Sequence, residues 1–303
     1  MKNAATIDLE DYYQVSAFAH GRDSRDWDSH ASRMQYSTAK LLDILDAANR
    51  RATFFTLGWA AEKYPELVRH IAARGHEIAC HSNLHRLVHA MTPAEFREDT
   101  LEAKKVLEQA SGTAVLGYRA PSFSISPTSL WAFEVLAELG FTYDSSIFPI
   151  KHANYGMPRA PRFPFTIATA SGPIVEFPMP TLRMGNARAP LGGGAYLRLL
   201  PYWFTRWGIR FINEKEDRPA CIYLHPWELD SEQPRMSGSL SSRLRHYLGL
   251  RGAEAKFRAL LQDFEFQPLG ALIDELKGTP PDSEPPCLPE FSLAEFGRSL
   301  TDK

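Results

Sequence analysis

The order of apolar runs along the chain predicts an α/β protein built on a parallel sheet. Two observations carry that reading. Up to Tyr143, short apolar runs alternate with amphipathic stretches as β-α-β-α-β-α-β-α-β, an order that needs crossover helices. Residues able to do chemistry then stand directly after those runs, at the carboxyl ends of strands where parallel folds place their ligands. They are Asp8, Glu10 and Asp11 after the first run, His81 after the third, Arg119 after the fourth, Asp144 after the fifth and His225 after a late one.

Ala4 to Ile7 reads as the first strand, and residues 12–36, polar and aromatic without a period, as a long loop over the strand ends. Leu41, Leu42, Ile44, Leu45 and Ala48 give a helix over 38–49. Residues 52–57 form the second strand, 65–73 a helix closed near Gly75, and 76–80 the third strand. Thr92-Pro93-Ala94-Glu95 is a capping box with proline at the first helical position, opening a helix to about Ala110. Residues 115–118 read as a strand, 126–139 as a helix stopped by Gly140, and 141–143 as a strand. The pattern then loosens. Short strands are expected at 165–169 and 173–177, a helix at 197–207, a buried strand at 220–224 and a helix at 253–264. Residues 230–252 are rich in Ser, Arg and Gly, and 278–289 form a Pro-rich extended tail.

Composition bounds the function. With 303 residues, 44% hydrophobic and 23% charged, the chain can bury a large core. A net charge of −2 gives no strong electrostatic case for nucleic acid or an anionic membrane. Three cysteines, Cys80, Cys221 and Cys287, make no disulfide framework; the first two sit in apolar runs and read as buried thiols. No signal-like segment opens the sequence and no stretch is apolar enough to span a bilayer, so a soluble, cytoplasmic protein is expected. Oligomeric state is not legible.

The stretch carrying most chemistry is Gly75-His76-Glu77-Ile78-Ala79-Cys80-His81-Ser82-Asn83-Leu84-His85. A buried strand ends in a turn or a nascent helix bearing two histidines four apart, on one side and close enough to share an ion. Neutral imidazole binds zinc and related metals, and zinc hydrolases usually add a third protein ligand and a water. The pattern resembles the second motif of the NodB-type polysaccharide deacetylases, carbohydrate esterase family 4. Thr6-Ile7-Asp8-Leu9-Glu10-Asp11, Arg119-Ala120-Pro121, Asp144-Ser145-Ser146 and Ile222-Tyr223-Leu224-His225-Pro226-Trp227-Glu228 fall in the order of its other motifs. The first departs from the family's Thr-Phe-Asp-Asp-Gly, since Leu9 follows Asp8.

The resemblance implies a distorted (β/α)7-type barrel over 1–228, with a C-terminal extension, 229–303, packed on it. It implies a hydrolase that removes N-acetyl groups from a polysaccharide, with Zn2+ or another divalent transition metal. Asp8 would be the base, oriented by Arg119, and His225 the acid. Glu10, His81 and His85 would hold the metal, with Asp11 as rival to Glu10. Asp144 would orient a catalytic histidine or cap a turn. Pro121 would shape the groove beside a backbone N–H for the oxyanion, Leu224 would line an acetyl pocket, and Trp227 would stack on sugar. The HPWE and DLEDYYQV stretches resemble a subgroup tied to exopolysaccharide and exosortase loci. Two other readings compete: a metal-free amide hydrolase of the same superfamily, and a non-catalytic glycan-binding subunit. Gly192-Gly193-Gly194 lacks the Lys-Ser/Thr of a phosphate loop and reads as a turn. Arg235, Arg243, Arg245 and Arg251 read as a solvated face, or one touching an anionic glycan or carrier.

Overall fold

The structure is a computed structural model that describes residues 1–15, 18, 24–152, 155–185, 187–278 and 288–301; His20, Cys287 and most of the Pro-rich tail lie outside them. The strands are β1 Lys2–Leu9, β2 Thr53–Thr56, β3 Glu77–Cys80, β4 Gly117–Tyr118, β5 Tyr143–Asp144, β6 Phe165–Thr169, β7 Gly172–Glu176, β8 Thr181–Met184, β9 Ala187–Pro190, β10 Cys221–Leu224, β11 Glu265–Gln267 and β12 Glu290–Ser292. The α-helices are α1 Met34–Ala47, α2 Gly58–Lys63, α3 Pro65–Ala73, α4 Pro93–Ser111, α5 Trp131–Glu138, α6 Gly194–Leu199, α7 Tyr202–Lys215, α8 Leu240–Tyr247, α9 Leu250–Asp263, α10 Leu269–Lys277 and α11 Leu293–Thr301.

The sheet is mostly parallel. Its spatial order runs β10-β1-β2-β3-β4-β5-β7, all parallel, after which β6 folds back antiparallel on β7 and β12 joins β6. β11 pairs with the Lys2–Ala4 end of β1. Residues of β2, β3 and β10 are buried with almost no alternation, because helices cover one face and packed side chains fill the other. Between the outer strands, loop backbone makes the join: Tyr223 N–H donates to Gly192 O (2.8 Å), and Leu191 N–H to Pro180 O (3.0 Å), on the chain leaving β7. A Cβ at Gly193 would stand 2.2 Å from the Tyr223 ring, so the glycine run serves close packing beside β10.

Local chemistry sets the boundaries. The Thr92–Glu95 box is formed in both directions, and α4 ends at left-handed Gly112. The helix expected over 126–139 begins only at Trp131. Ser126 N–H donates to Ser129 Oγ (2.9 Å), and this hydroxyl turn competes with the first helical turn. The helix expected over 197–207 is two helices. Pro201 offers no N–H and holds Leu200 extended, at ψ 144°. The Ser/Arg/Gly-rich stretch carries α8, and α2, β8, β9, β11, α10, β12 and α11 were not expected. None of the described helices is long and apolar enough to cross a membrane.

Two core clusters follow the alternation of the strands. Ile7, Leu9, Phe54, Ile78, Cys80, Ile222 and Leu224 share one with the helices. Ala4, Phe55, Ala79, Cys221 and Tyr223 share the other. Since Thr6 pairs with Tyr223 and Ile7 with Leu224, the face carrying Tyr223 also carries Thr6 and Asp8.

Candidate active site

That second face opens, at the carboxyl ends of β1, β3, β4 and β10, onto a group of ionisable side chains. Glu10 stands just past β1, two residues from Asp8 and on its side, while Leu9 points into the helix-facing core. His81 follows β3. His85 sits in a loop that is no helix: Ser82 and His85 both take left-handed backbone, at φ 65° and 54°. Such strain persists only where surroundings impose it. Asp99 on α4 accepts Asn83 N–H (2.9 Å), and Gly58 N–H donates to Ser82 O (3.0 Å). A Cβ at Gly58 would stand 2.2 Å from Asn83 Oδ1 and 2.9 Å from Ala103 Cα, so only glycine fits beneath the loop.

Glu10 Oε1 lies 2.9 Å from Nε2 of both His81 and His85. One ligand atom from each residue falls within 4.8 Å of the others. The donor set fits a cation. The Arg119 carbonyl can only accept, so His81 Nδ1 (2.7 Å) carries a proton, and Nε2 is the nitrogen that faces the carboxylate. By holding Nδ1–H, the carbonyl fixes the ring orientation and tautomer that a metal ligand at Nε2 needs. Burial works to raise the Glu10 carboxyl, but His85, His225 and His81 outweigh it and hold it well below the usual range. Asp11 is engaged elsewhere. Its Oδ2 accepts Ser32 Oγ–H (2.6 Å), Arg33 N–H (2.9 Å) and Met34 N–H (3.1 Å), anchoring the start of α1.

Arg119, fully buried, donates from Nη1 to Asp8 Oδ1 (2.8 Å) and Thr6 Oγ1 (2.8 Å), and from Nε and Nη2 to Ser145 O (3.1 Å) and Oγ (2.9 Å). It lies 4.1 Å over the Phe55 ring. Opposite stands His225, whose Nε2 is 3.9 Å from Asp8 Oδ2 and 4.0 Å from Glu10 Oε1. Its Nδ1 donates to Glu228 Oε1 (2.6 Å), and Glu228 Oε2 accepts from Arg198 Nε (2.6 Å). Burial opposes charge on His225, but Glu10, Glu228 and Asp8 raise it to about 9. Glu228 is held at about 2: burial would raise it, and Arg198 and His225 overcome that.

Two expectations, for Leu224 and Trp227, need correction, and Asp144 takes the second of its two expected roles. Asp144 orients no histidine through these bonds. Its oxygens accept Ser146 N–H (2.8 Å) and Oγ–H (2.7 Å), and the same hydroxyl oxygen accepts Ala120 N–H (2.8 Å). It is a turn cap beneath the Arg119 loop, and Glu228 holds the histidine instead. Leu224 cannot line a pocket beside His225, because strand alternation turns it into the helix-facing core; Tyr223, two residues from His225, shares the ring's face. Trp227 is buried and forms no open sugar platform. It stacks between His225 (5.1 Å) and His246 (4.2 Å) and braces the former. Pro121 is buried in a 3-10 turn with Ser122 and Phe123 at positive φ. Phe123 N–H and Ser124 N–H are used within that turn, on Ala120 O (3.0 Å) and Pro121 O (3.1 Å).

Sequence reasoning missed Glu228, Arg198, Tyr223 and Ser145. Glu228 had a signal, three residues past a histidine that opens a turn. Arg198 had none.

Residues 27–143 match the family model described as polysaccharide deacetylase, a span that includes His81, His85 and Arg119. These residues carry a polysaccharide deacetylase domain. Residues 145–274 match a domain of unknown function, DUF3473, which here contributes Arg198, His225 and Glu228. A peptidoglycan-N-acetylglucosamine deacetylase of Bacillus cereus is 37% identical over 98 residues, covering 32% of this chain and 36% of the relative. A chitooligosaccharide deacetylase of Bradyrhizobium is 32% identical over 102 residues, covering 34% and 44%. The chain thus spans under half the length of these curated relatives. A candidate polysaccharide deacetylase from Mycobacterium smegmatis shares the fold, with a TM-score of 0.57 at 22% identity over 91% of each chain.

Proposed function

We propose that this chain is a metal-dependent hydrolase that removes N-acetyl groups from amino sugars of a polysaccharide. One observation carries the reading. A carboxylate and two imidazoles meet at one point, between an Asp8–Arg119 pair on one side and a His225–Glu228 pair on the other. Glu10, His81 and His85 would hold zinc or another divalent transition ion. Such an ion supplies Lewis-acid polarisation of an acyl carbonyl and acidifies water.

The chain's own groups divide the proton work. Asp8, its Oδ1 fixed by Arg119 and its Oδ2 turned toward His225, takes a proton from the attacking water. His225 gives a proton from Nε2 to the departing amine, while Glu228 at Nδ1 holds the ring's direction and supports its charge. The protonation states match those roles: a raised imidazole donates, and the carboxylate behind it stays ionised. The products are acetate and a free amino sugar.

The substrate class rests on the names of the relatives, and its assignment to exopolysaccharide biosynthesis on the HPWE and DLEDYYQV stretches. Residues 1–228 form the catalytic unit and 229–303 an extension packed on it, a reading supported by the pairing of β11 with β1 and by Arg198 donating to carbonyls 245, 246 and 248. The test is acetate release from N-acetylated chitooligosaccharides and peptidoglycan fragments. Release that stops with chelator and returns with added metal is expected; chelator-insensitive release, or none on any N-acetylated glycan, would overturn the reading.

A further inference from the structure

We infer that α7 and α8 form a surface that seats this protein on an anionic phospholipid bilayer. Eleven large apolar side chains are exposed among the described residues, and seven of them lie on two short segments. On α7, Trp203, Trp207 and Phe211 are exposed at i, i+4 and i+8, with Trp207 and Phe211 ring centroids 5.9 Å apart. On α8 and the residue after it, Leu240, Leu244 and Leu248 repeat the same spacing. Side chains four apart share one helix face, so each helix shows water an apolar stripe rather than scattered residues.

The two stripes meet at a seam. Arg198 donates to Leu248 O (2.6 Å) and His246 O (3.0 Å), and a Cβ at Gly249 would stand 2.8 Å from Arg198 O. The backbone just before exposed Leu199 therefore lies against the backbone around exposed Leu248, and Pro201 turns the chain from there into the aromatic stripe.

Charge selects the occupant. Residues 194–213 and 233–253 contain no Asp or Glu, in a chain whose net charge is −2. Arg210, Arg235, Arg243, Arg245 and Arg251 are all exposed there. A second copy docked through this face would set arginine against arginine across a two-fold axis. An anionic bilayer answers both features: tryptophans and leucines enter the headgroup boundary while arginines meet lipid phosphates. The inner side of α8 also bears on the site, since His246 stacks on Trp227 beneath His225. A chain seated this way would work on glycan held at the membrane.

The experiment is co-sedimentation of the full chain with vesicles of phosphatidylcholine alone and of phosphatidylcholine with phosphatidylglycerol, with tryptophan emission read in parallel. The wild type should sediment with the anionic vesicles only, with blue-shifted emission and with binding that weakens as salt rises. Trp203→Ser/Trp207→Ser and, separately, Leu240→Ser/Leu244→Ser should lose about tenfold or more of that partition. Arg243→Ala should lose about fivefold. All three should release acetate from soluble chitooligosaccharide at the wild-type rate. Equal sedimentation of wild type and variants, or wild type left in the supernatant, would overturn the inference. So would a dimer on size exclusion that the tryptophan variant dissolves, for the face would then belong to a second copy.

Discussion

Glu228→Gln separates the part of the site that orients from the part that reacts. The amide keeps an oxygen for His225 Nδ1–H but removes the charge shared with Arg198, both groups being almost fully buried. Glu228 is held at about 2 against an ordinary 4.5. A depressed carboxyl stabilises the fold fully above its unfolded value and loses that contribution as pH falls toward the folded one. The difference of about 2.5 units is worth roughly 3 kcal/mol at pH 7 and roughly 1.5 kcal/mol at pH 3. Unfolding entropy of about 2.1 cal/mol/K per residue, over 303 residues, turns the larger figure into a fall in Tm of about 5 °C. Thermal melts at neutral and acid pH read the stability, and steady-state acetate release reads the function. The variant should lose stability at neutral pH, lose less of it toward pH 3, and show kcat reduced about 10–100-fold with KM little changed. A Tm within a degree of wild type at pH 7, with unchanged kcat, would refute the role given to this chain of charges.

Three further perturbations probe the rest. His85→Ala should purify folded by circular dichroism, with stoichiometric metal lost in elemental analysis and activity at background; full activity without metal would sink the ligand assignment. Asp8→Asn should retain metal and bind substrate but turn over at least about 1,000-fold more slowly, because the amide cannot take the proton; normal turnover would remove Asp8 as the base. Gly58→Ala should lower metal affinity about tenfold without touching a ligand, since its Cβ displaces Asn83 inside the strained loop; unchanged affinity in a metal titration would show that the loop has slack.

What the sequence disclosed depended on how local each cause was. The Thr92 box, the Pro65 start and the alternation of strand and helix are made by neighbouring residues, and the structure has them at those places. The β8–β9 hairpin was missed although Gly185-Asn186 is a turn signal, because its strands are short, half exposed and lack an apolar alternation. Arg198 was illegible for a different reason: its carboxylate partner lies thirty residues on, in the 3-10 turn Pro226–Leu229, and only the tertiary fold brings α6 to that turn. Leu224 was misread by nearness in sequence. Being adjacent to His225 is what puts it on the wrong face.

The same alternation accounts for the departure at the start of the chain. A base and a ligand must both reach one cavity, yet neighbouring residues of an extended strand point opposite ways. With Leu9 between them, Asp8 and Glu10 face the cavity together, and Leu9 is free to enter the helix-facing core, where it is fully buried. The parallel register of Thr6 with Tyr223 then carries the same face onto β10, so that His225 arrives opposite Asp8. Shifting either strand by one residue would turn the carboxylates or the imidazole into the apolar layer, where ionised groups cannot be accommodated without partners. The spacing Asp-Leu-Glu is thus a consequence of sheet geometry: catalytic residues two apart come from the strand itself, and the residue between them fastens that strand to the core.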